Sequence, residues 1–224
     1  TQQADDPDLS LSAPFPITRA SFRRKLIRDI TGQTAFQQRR SQIKAALGDP
    51  SWDWKRRAQN FGRKLGRPLV ANAVLFYLLA STGHWYLYPA LWLFPFMTWF
   101  QVVVRVRNIA EHAIVPDNDD PFRNARTTKT NLLGRALLAP YWVNYHVEHH
   151  LLMWVPCYNL PRFHRILLAK GFGPRMEIRP TYRNVLHDAT SRAANDDRRD
   201  GMRTSVRGRR RNVAFEGRER AGVS

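Results

Sequence analysis

Cysteine is nearly absent from this chain of 224 residues, and its single cysteine, Cys157, cannot form an intrachain disulfide. One unpaired thiol is compatible with a reducing compartment. The sequence begins at Thr1 rather than at a methionine, shows no N-terminal signal peptide and contains no internal repeat. These absences exclude a disulfide-stapled secreted module and a repeat array, and we expect the opening residues to lie within a longer protein.

Acidic residues are also scarce compared with basic ones. The sequence has 18 Asp and Glu against 36 Lys and Arg, which gives a formal net charge of +18. A balance this basic favours a polyanionic partner, which is either nucleic acid or an anionic membrane surface.

Charge of either sign is missing from residues 68–104, which contain no Asp, Glu, Lys or Arg. The stretch is too long for a soluble core helix and long enough for two membrane crossings of about 17–20 residues each. Residues 81–84 supply a turn, and the aromatic residues between 85 and 92 form a belt beside it. Basic residues flank both ends of the stretch, so the positive-inside rule predicts that both ends are cytoplasmic. One long kinked span is the alternative, but it would put one basic flank outside.

Three of the seven histidines fall within five residues: His146, His149 and His150. A helix is predicted over 141–154, because this run lies between two prolines and contains neither Gly nor Pro. On a helix the three imidazoles share one face. Imidazole is the commonest metal-ligating side chain near neutral pH, whereas clustered histidines make a poor core. The pattern therefore favours a metal site over a solvated patch of histidines.

Short helices are predicted on either side of the uncharged stretch. Those before it cover 22–30, capped by Ser21, and 35–47, with a third that opens at Ser51. Their basic and aromatic residues suit the headgroup layer of a membrane. One after it covers 161–168, and the short apolar run 132–138 leads into the histidine helix.

The remaining segments carry weaker signals. The Arg- and Thr-rich residues 123–130 are interpreted as a polar connector, and His84, His164 and His187 as isolated non-ligands. Residues 191–224 are basic and lack periodicity, so they are predicted to be disordered.

The predicted fold class is all-α. Residues 1–190 would form an integral membrane helical hairpin over about 68–104, with interfacial helices and a cytoplasmic, histidine-bearing helical cap. Residues 191–224 would be the tail of that domain.

Several motifs resemble the membrane-bound fatty acid desaturase family, and they cover roughly residues 1–190. They are RNIAEHA at 107–113, NYHVEHHL at 144–151 and VPCYNLPRFH at 155–164, with DPDL at 6–9 and RDITG at 28–32 similar to the bacterial branch. The resemblance implies an oxygen-activating centre of two iron ions with O2 as co-substrate, on the cytoplasmic side of the inner membrane. It also implies a membrane lipid or fatty acyl substrate and a separate electron donor of the ferredoxin, rubredoxin or cytochrome type.

The resemblance also implies roles for individual residues. The metal ligands would be His112, His146, His149 and His150, and the residues supporting them would be Asn108, Glu111, Asn144 and Glu148. Asn108 would contact the site through water. The family's first two histidine boxes, of the H-x-x-x-H and H-x-x-H-H types, are absent. We therefore expect this chain to be a C-terminal part of such an enzyme, inactive alone because four ligands cannot hold two irons.

Three alternatives remain open at the level of sequence. A related di-iron hydroxylase or ketolase acting on lipids or carotenoids would differ in its product, which gains oxygen rather than a double bond. A zinc site is disfavoured because no H-E-x-x-H is present. A membrane-anchored nucleic-acid binder is disfavoured because the basic residues flank an apolar stretch and the tail lacks interleaved aromatics, so no nucleic-acid partner is expected.

Overall fold

The computed structural model describes residues 15–116 and 120–192, which are mostly helical and form two compact units. We call the unit of Lys25–Val102 the central unit, and the unit formed by the described residues 15–24, 103–116 and 120–192 the histidine unit. The helices are α1 Arg19–Ile30, α2 Gln33–Leu47, α3 Trp54–Ser81, a π-helix Tyr88–Leu93, α4 Phe94–Met97, α5 Trp99–His112, α6 Leu132–Leu137, α7 His146–Leu151, α8 Leu160–Ala169 and α9 Tyr182–Ala189. Single 3-10 turns cover Pro140–Trp142, Cys157–Asn159 and Gly173–Arg175, and two strands are β1 Thr127–Thr128 and β2 Ile178–Arg179.

The predicted early helices are present with corrected starts. α1 begins before the predicted residue 22, because the Thr18 hydroxyl rather than Ser21 caps it and accepts from the Ser21 N–H at 3.1 Å. The third helix, α3, is capped by the Asp53 carboxylate, which accepts from the Arg56 N–H at 3.0 Å. The sequence therefore predicted that a polar side chain caps each of these helices, but it placed each cap a few residues away from its observed position.

Within the central unit, α3 is hydrogen-bonded both to α2, which precedes it, and to the π-helix, which follows it. The Asn60 side chain donates to the carbonyls of Ala46 at 2.8 Å and Ala45 at 3.2 Å, which are left open at the end of α2. Further along α3, the Asn72 amide oxygen accepts from the Tyr88 hydroxyl at 2.8 Å and the Trp92 indole at 2.9 Å. These bonds join α3 to the π-helix that follows the turn.

The predicted break of the uncharged stretch lies where the sequence placed it. α3 ends at Ser81, and Gly83 adopts a left-handed φ of 77°, a conformation that glycine takes without a steric cost. Among the described helices, one segment, Tyr88–His112, is long and apolar enough to cross a membrane. α3 carries Arg and Lys up to residue 67, so its uncharged part is too short to qualify by itself. A membrane hairpin of two crossings therefore stays a prediction.

The histidine unit contains two small clusters of buried apolar residues and one short sheet. Ile109 and Ala113 near the end of α5 pack against Tyr182 and Val185 of α9. Val147 of α7 packs with Leu167 of α8, Ala125 and Met176. β1 and β2 pair in parallel with Thr127 opposite Ile178, a small departure from the predicted all-α class. The sheet brings together two segments of the unit that are about 50 residues apart in sequence.

Candidate metal centre

Three imidazoles converge on one point in the histidine unit. The Nε2 atom of His146 lies 2.9 Å from Nε2 of His112 and 3.1 Å from Nε2 of His150. One nitrogen of each ring lies within 4.8 Å of the others. His112 is the last residue of α5, and His146 and His150 are one turn apart on α7. Two helices that are 34 residues apart in sequence therefore build the cluster.

The histidine helix is shorter than predicted. The sequence predicts 141–154, whereas α7 covers only His146–Leu151. The reason is local, since Tyr141 and Trp142 have φ values of 57° and 55°, outside the right-handed helical region. The i, i+4 relation of His146 and His150 survives because both lie inside the part that remains helical.

The electrostatics favour neutral imidazoles. Burial lowers the pKa of His146 well below its usual value, and neighbouring His112 and His150 lower it further. Burial and the proximity of His112 lower the pKa of His150 to about 4. At neutral pH both rings therefore keep a lone pair that a metal ion could accept.

The cluster geometry fits a single metal ion. A nitrogen of a neutral imidazole either donates or accepts one hydrogen bond, so hydrogen bonding alone cannot satisfy three Nε2 atoms that face one another. Imidazole binds first-row metals at about 2.1 Å, and two such nitrogens at right angles around one ion lie about 3 Å apart. The observed separations of 2.9 and 3.1 Å match that spacing.

The fourth predicted ligand, His149, lies at the edge of the cluster. Its ring is exposed, and its centroid is 5.7 Å from that of His146 and 6.1 Å from that of His150. It does not belong to the group of three converging nitrogens. His149 as a ligand therefore stays a prediction.

The four predicted supporting residues, Asn108, Glu111, Asn144 and Glu148, are all buried. Asn108 and Glu111 lie on α5, where Glu111 pairs with Arg107 at 3.3 Å. The Asn144 amide donates to the Thr128 carbonyl at 3.1 Å. A role in the metal site stays a prediction for each of these residues.

The Glu148 carboxylate has two contacts, and both are with residues outside the histidine cluster. Its side chain is fully buried on the opposite side of α7, where one carboxylate oxygen contacts the Thr127 hydroxyl at 2.5 Å and the other contacts Nδ1 of His164. The physical reason is helical geometry, because Glu148 lies between His146 and His150 and points away from the face they share. Glu148 thus attaches α7 to β1 and α8.

Sequence reasoning missed His164 and residues 126–127 as parts of this region. His164 is buried together with Leu160 and Leu167, an i, i+4, i+7 pattern on α8 that could have indicated an inward face. The segment 123–130 carried no such signal, because its Arg and Thr residues resemble a solvated connector. Its middle residues are nevertheless almost fully buried. His187, by contrast, is exposed, and it is not among the converging histidines of the described residues.

The chain belongs to the fatty acid desaturase family, whose profile matches residues 1–179. Over 78 residues it is 35% identical to dihydrorhizobitoxine desaturase of Bradyrhizobium elkanii, a match that covers 34% of this chain and 22% of that protein. The chain thus spans about a fifth of the length of this curated relative. No solved structure matches.

Proposed function

We propose that this chain is part of an oxygen-dependent di-iron desaturase that introduces a double bond into a fatty acyl substrate. The observation that carries the proposal is the convergence of His112, His146 and His150 in a chain of the fatty acid desaturase family. The name of the matched relative also denotes a desaturase, which favours formation of a double bond over insertion of oxygen.

In this proposal His112, His146, His149 and His150 each offer a neutral imidazole to one of two iron ions. Iron would supply the activation of O2 that oxidation of a saturated carbon pair requires. The pair loses two hydrogen atoms, and O2 becomes two waters by taking up these two, two electrons and two protons. The electrons come from a separate ferredoxin, rubredoxin or cytochrome-type donor. Four histidines are too few for two irons, so the remaining ligands would come from histidine boxes outside these 224 residues.

The proposed location is the inner membrane, with the metal site on its cytoplasmic side. The apolar segment Tyr88–His112 and the membrane-bound character of the family support it. Asn72 supports a hairpin, because its bonds to Tyr88 and Trp92 pair α3 with the segment after the turn. A polar side chain within an apolar environment is stable only when it is paired in this way.

The test uses the protein with its first two histidine boxes present, because the site is incomplete without them. We expect iron in the purified protein and a desaturated product with O2 and an electron donor. His146→Ala and His149→Ala should each remove iron and turnover together, since each deletes a ligand nitrogen. His187→Ala should keep both, because His187 is exposed and outside the cluster.

Three outcomes would contradict the proposal. Stoichiometric zinc in place of iron would indicate a different metal site. A hydroxylated product would indicate the sister hydroxylase. Full iron content in His146→Ala would mean that the ligands have been assigned to the wrong residues.

A further inference from the structure

Arg126, which directly precedes β1, and Thr127, the first residue of β1, contact the two helices that carry the histidines. Arg126 and Thr127 are adjacent in sequence and almost completely buried, with 2% and 1% of their surfaces exposed. Neighbouring side chains of a strand point in opposite directions, so two consecutive residues can reach two different elements. These two residues make contacts with α5 and α7 respectively.

Arg126 binds the end of α5. Its guanidinium donates to the carbonyls of Ala110 at 3.3 Å and Ile114 at 2.9 Å, and its backbone N–H donates to the backbone carbonyl of Glu111 at 2.9 Å. Ala110 and Glu111 lie in the last turn of α5, where a helix leaves carbonyls open and a cation interacts favourably with the helix dipole, and Ile114 follows just after the helix end. The residues bound flank His112 on both sides.

The backbone of Ile114, two residues after the end of α5, is constrained by these contacts. It has a φ of 54°, a left-handed conformation that is costly for a β-branched residue and persists only where the surroundings impose it. The bond from Arg126 to the Ile114 carbonyl is one such constraint. Arg126 is held in turn by Glu177, whose carboxylate lies 3.3 Å from its Nε.

Thr127 binds α7. Its hydroxyl contacts the Glu148 carboxylate at 2.5 Å and accepts from the Val147 N–H at 3.4 Å, both within the first turn of the histidine helix. The other Glu148 oxygen contacts His164 of α8, so the carboxylate uses both oxygens. The backbone of β1 adds a bond from Thr128 N–H to the Asn144 carbonyl at 3.0 Å.

We propose that Arg126 and Thr127 are positioning residues of the metal site: from adjacent places in the chain they fix the helix end that carries His112 against the helix that carries His146 and His150. The inference rests on the proposed function, because it takes the histidine cluster as a metal site. Neither side chain needs to touch the metal. Each acts through the backbone of a ligand-bearing helix.

Thr128, the next residue of β1, provides a matched control for substitutions of Thr127. Thr128 is as buried as Thr127, but its hydroxyl has no hydrogen-bond partner among the described residues. Thr128→Val therefore removes a buried hydroxyl at the neighbouring position without removing a contact to α7. Thr127→Val removes the hydroxyl that meets Glu148 and Val147, and Thr127→Ser restores it.

The experiment measures ferrous iron affinity by competition with a chelator, in the protein carrying all its histidine boxes and well below its unfolding temperature. Thr127→Val should weaken iron binding about tenfold, the scale of losses at residues that support metal ligands. Thr127→Ser and Thr128→Val should bind within about twofold of the unaltered protein. Cobalt(II) in place of iron gives a second readout, since its visible bands should shift in Thr127→Val and in neither control. A loss of stability alone would not move those bands.

Arg126 is tested in parallel. Arg126→Met should also weaken iron binding about tenfold, whereas Glu177→Gln should have a smaller effect because the bonds from Arg126 to α5 remain. If Arg126→Met does not fold, the Thr127 series decides alone. Unchanged iron affinity and unchanged cobalt bands in Thr127→Val would overturn the inference while leaving the proposed function intact. Absence of iron and desaturation in the unaltered protein would overturn both.

Discussion

At the scale of single residues, the cluster depends on imidazoles that stay neutral. His146 and His150 are held near His112 with nitrogens about as far apart as two ligands on one ion. Placing positive charge there is unfavourable because burial and mutual repulsion act in the same direction. The same arrangement makes the metal-free protein sensitive to acid.

We predict that the metal-free protein loses stability as the pH falls from about 6.5 towards 4. The unfolded chain protonates a histidine near its usual pKa of about 6.5, whereas the folded chain holds the pKa of His150 at about 4. The unfolded state therefore binds more protons in this window, and stability is complete above it. Unfolding temperatures measured across this pH range test the prediction. A His150→Gln variant should lose less on acidification, and a slope equal to that of the unaltered protein would contradict the assignment.

At the scale of elements, local signals in the sequence predicted what local geometry determines. The turn after Ser81 follows from Gly83, and the shared face of His146 and His150 follows from their spacing. The left-handed residues Tyr141 and Trp142 had no such signal, because aromatic residues do not favour that conformation. The burial of Arg126 and Thr127 could not be predicted either. Their burial depends on helices that are distant in sequence, because the segment becomes buried only when those helices pack against it.

The membrane hairpin leads to a topological prediction. If both basic flanks are cytoplasmic, cysteines placed at Lys64 and Arg107 should be protected from an impermeant label added outside intact cells. A cysteine placed at Trp85, in the turn, should be labelled. Cys157→Ser provides the background for all three, because Cys157 is the chain's own thiol. Labelling at position 107 from outside would rule out two crossings.

At the scale of the whole molecule, the strongly basic composition remains to be assigned to a partner. The predicted tail, residues 191–224, carries ten Arg against five Asp and Glu, a net +5 of the total +18, and falls almost entirely outside the described residues. The rest includes Lys64, Arg56 and Arg57, close to the start of the apolar stretch. We therefore propose lipid headgroups, rather than nucleic acid, as the partner of this flanking charge.

We predict that deletion of 193–224 leaves membrane insertion, iron content and turnover nearly unchanged in the protein with all its histidine boxes. The segment lies beyond the family match, which ends at residue 179, and it offers no apolar periodicity for packing. Membrane fractionation, iron analysis and product formation before and after deletion provide the measurement. Loss of iron on deletion would mean that the tail takes part in the fold.

The pairing of β1 with β2 has a consequence for the order in which the molecule is made. Thr127 pairs with Ile178, and the Ile17 N–H donates to the Ala189 carbonyl at 2.8 Å, so the earliest and latest described segments close one unit. A ribosome therefore delivers all three converging histidines before the strand and helix that complete their surroundings have emerged. During that interval the imidazoles are present without their final supports, and metal captured then would be held more loosely than in the finished protein. Tight metal binding should thus be among the last properties that the new chain acquires.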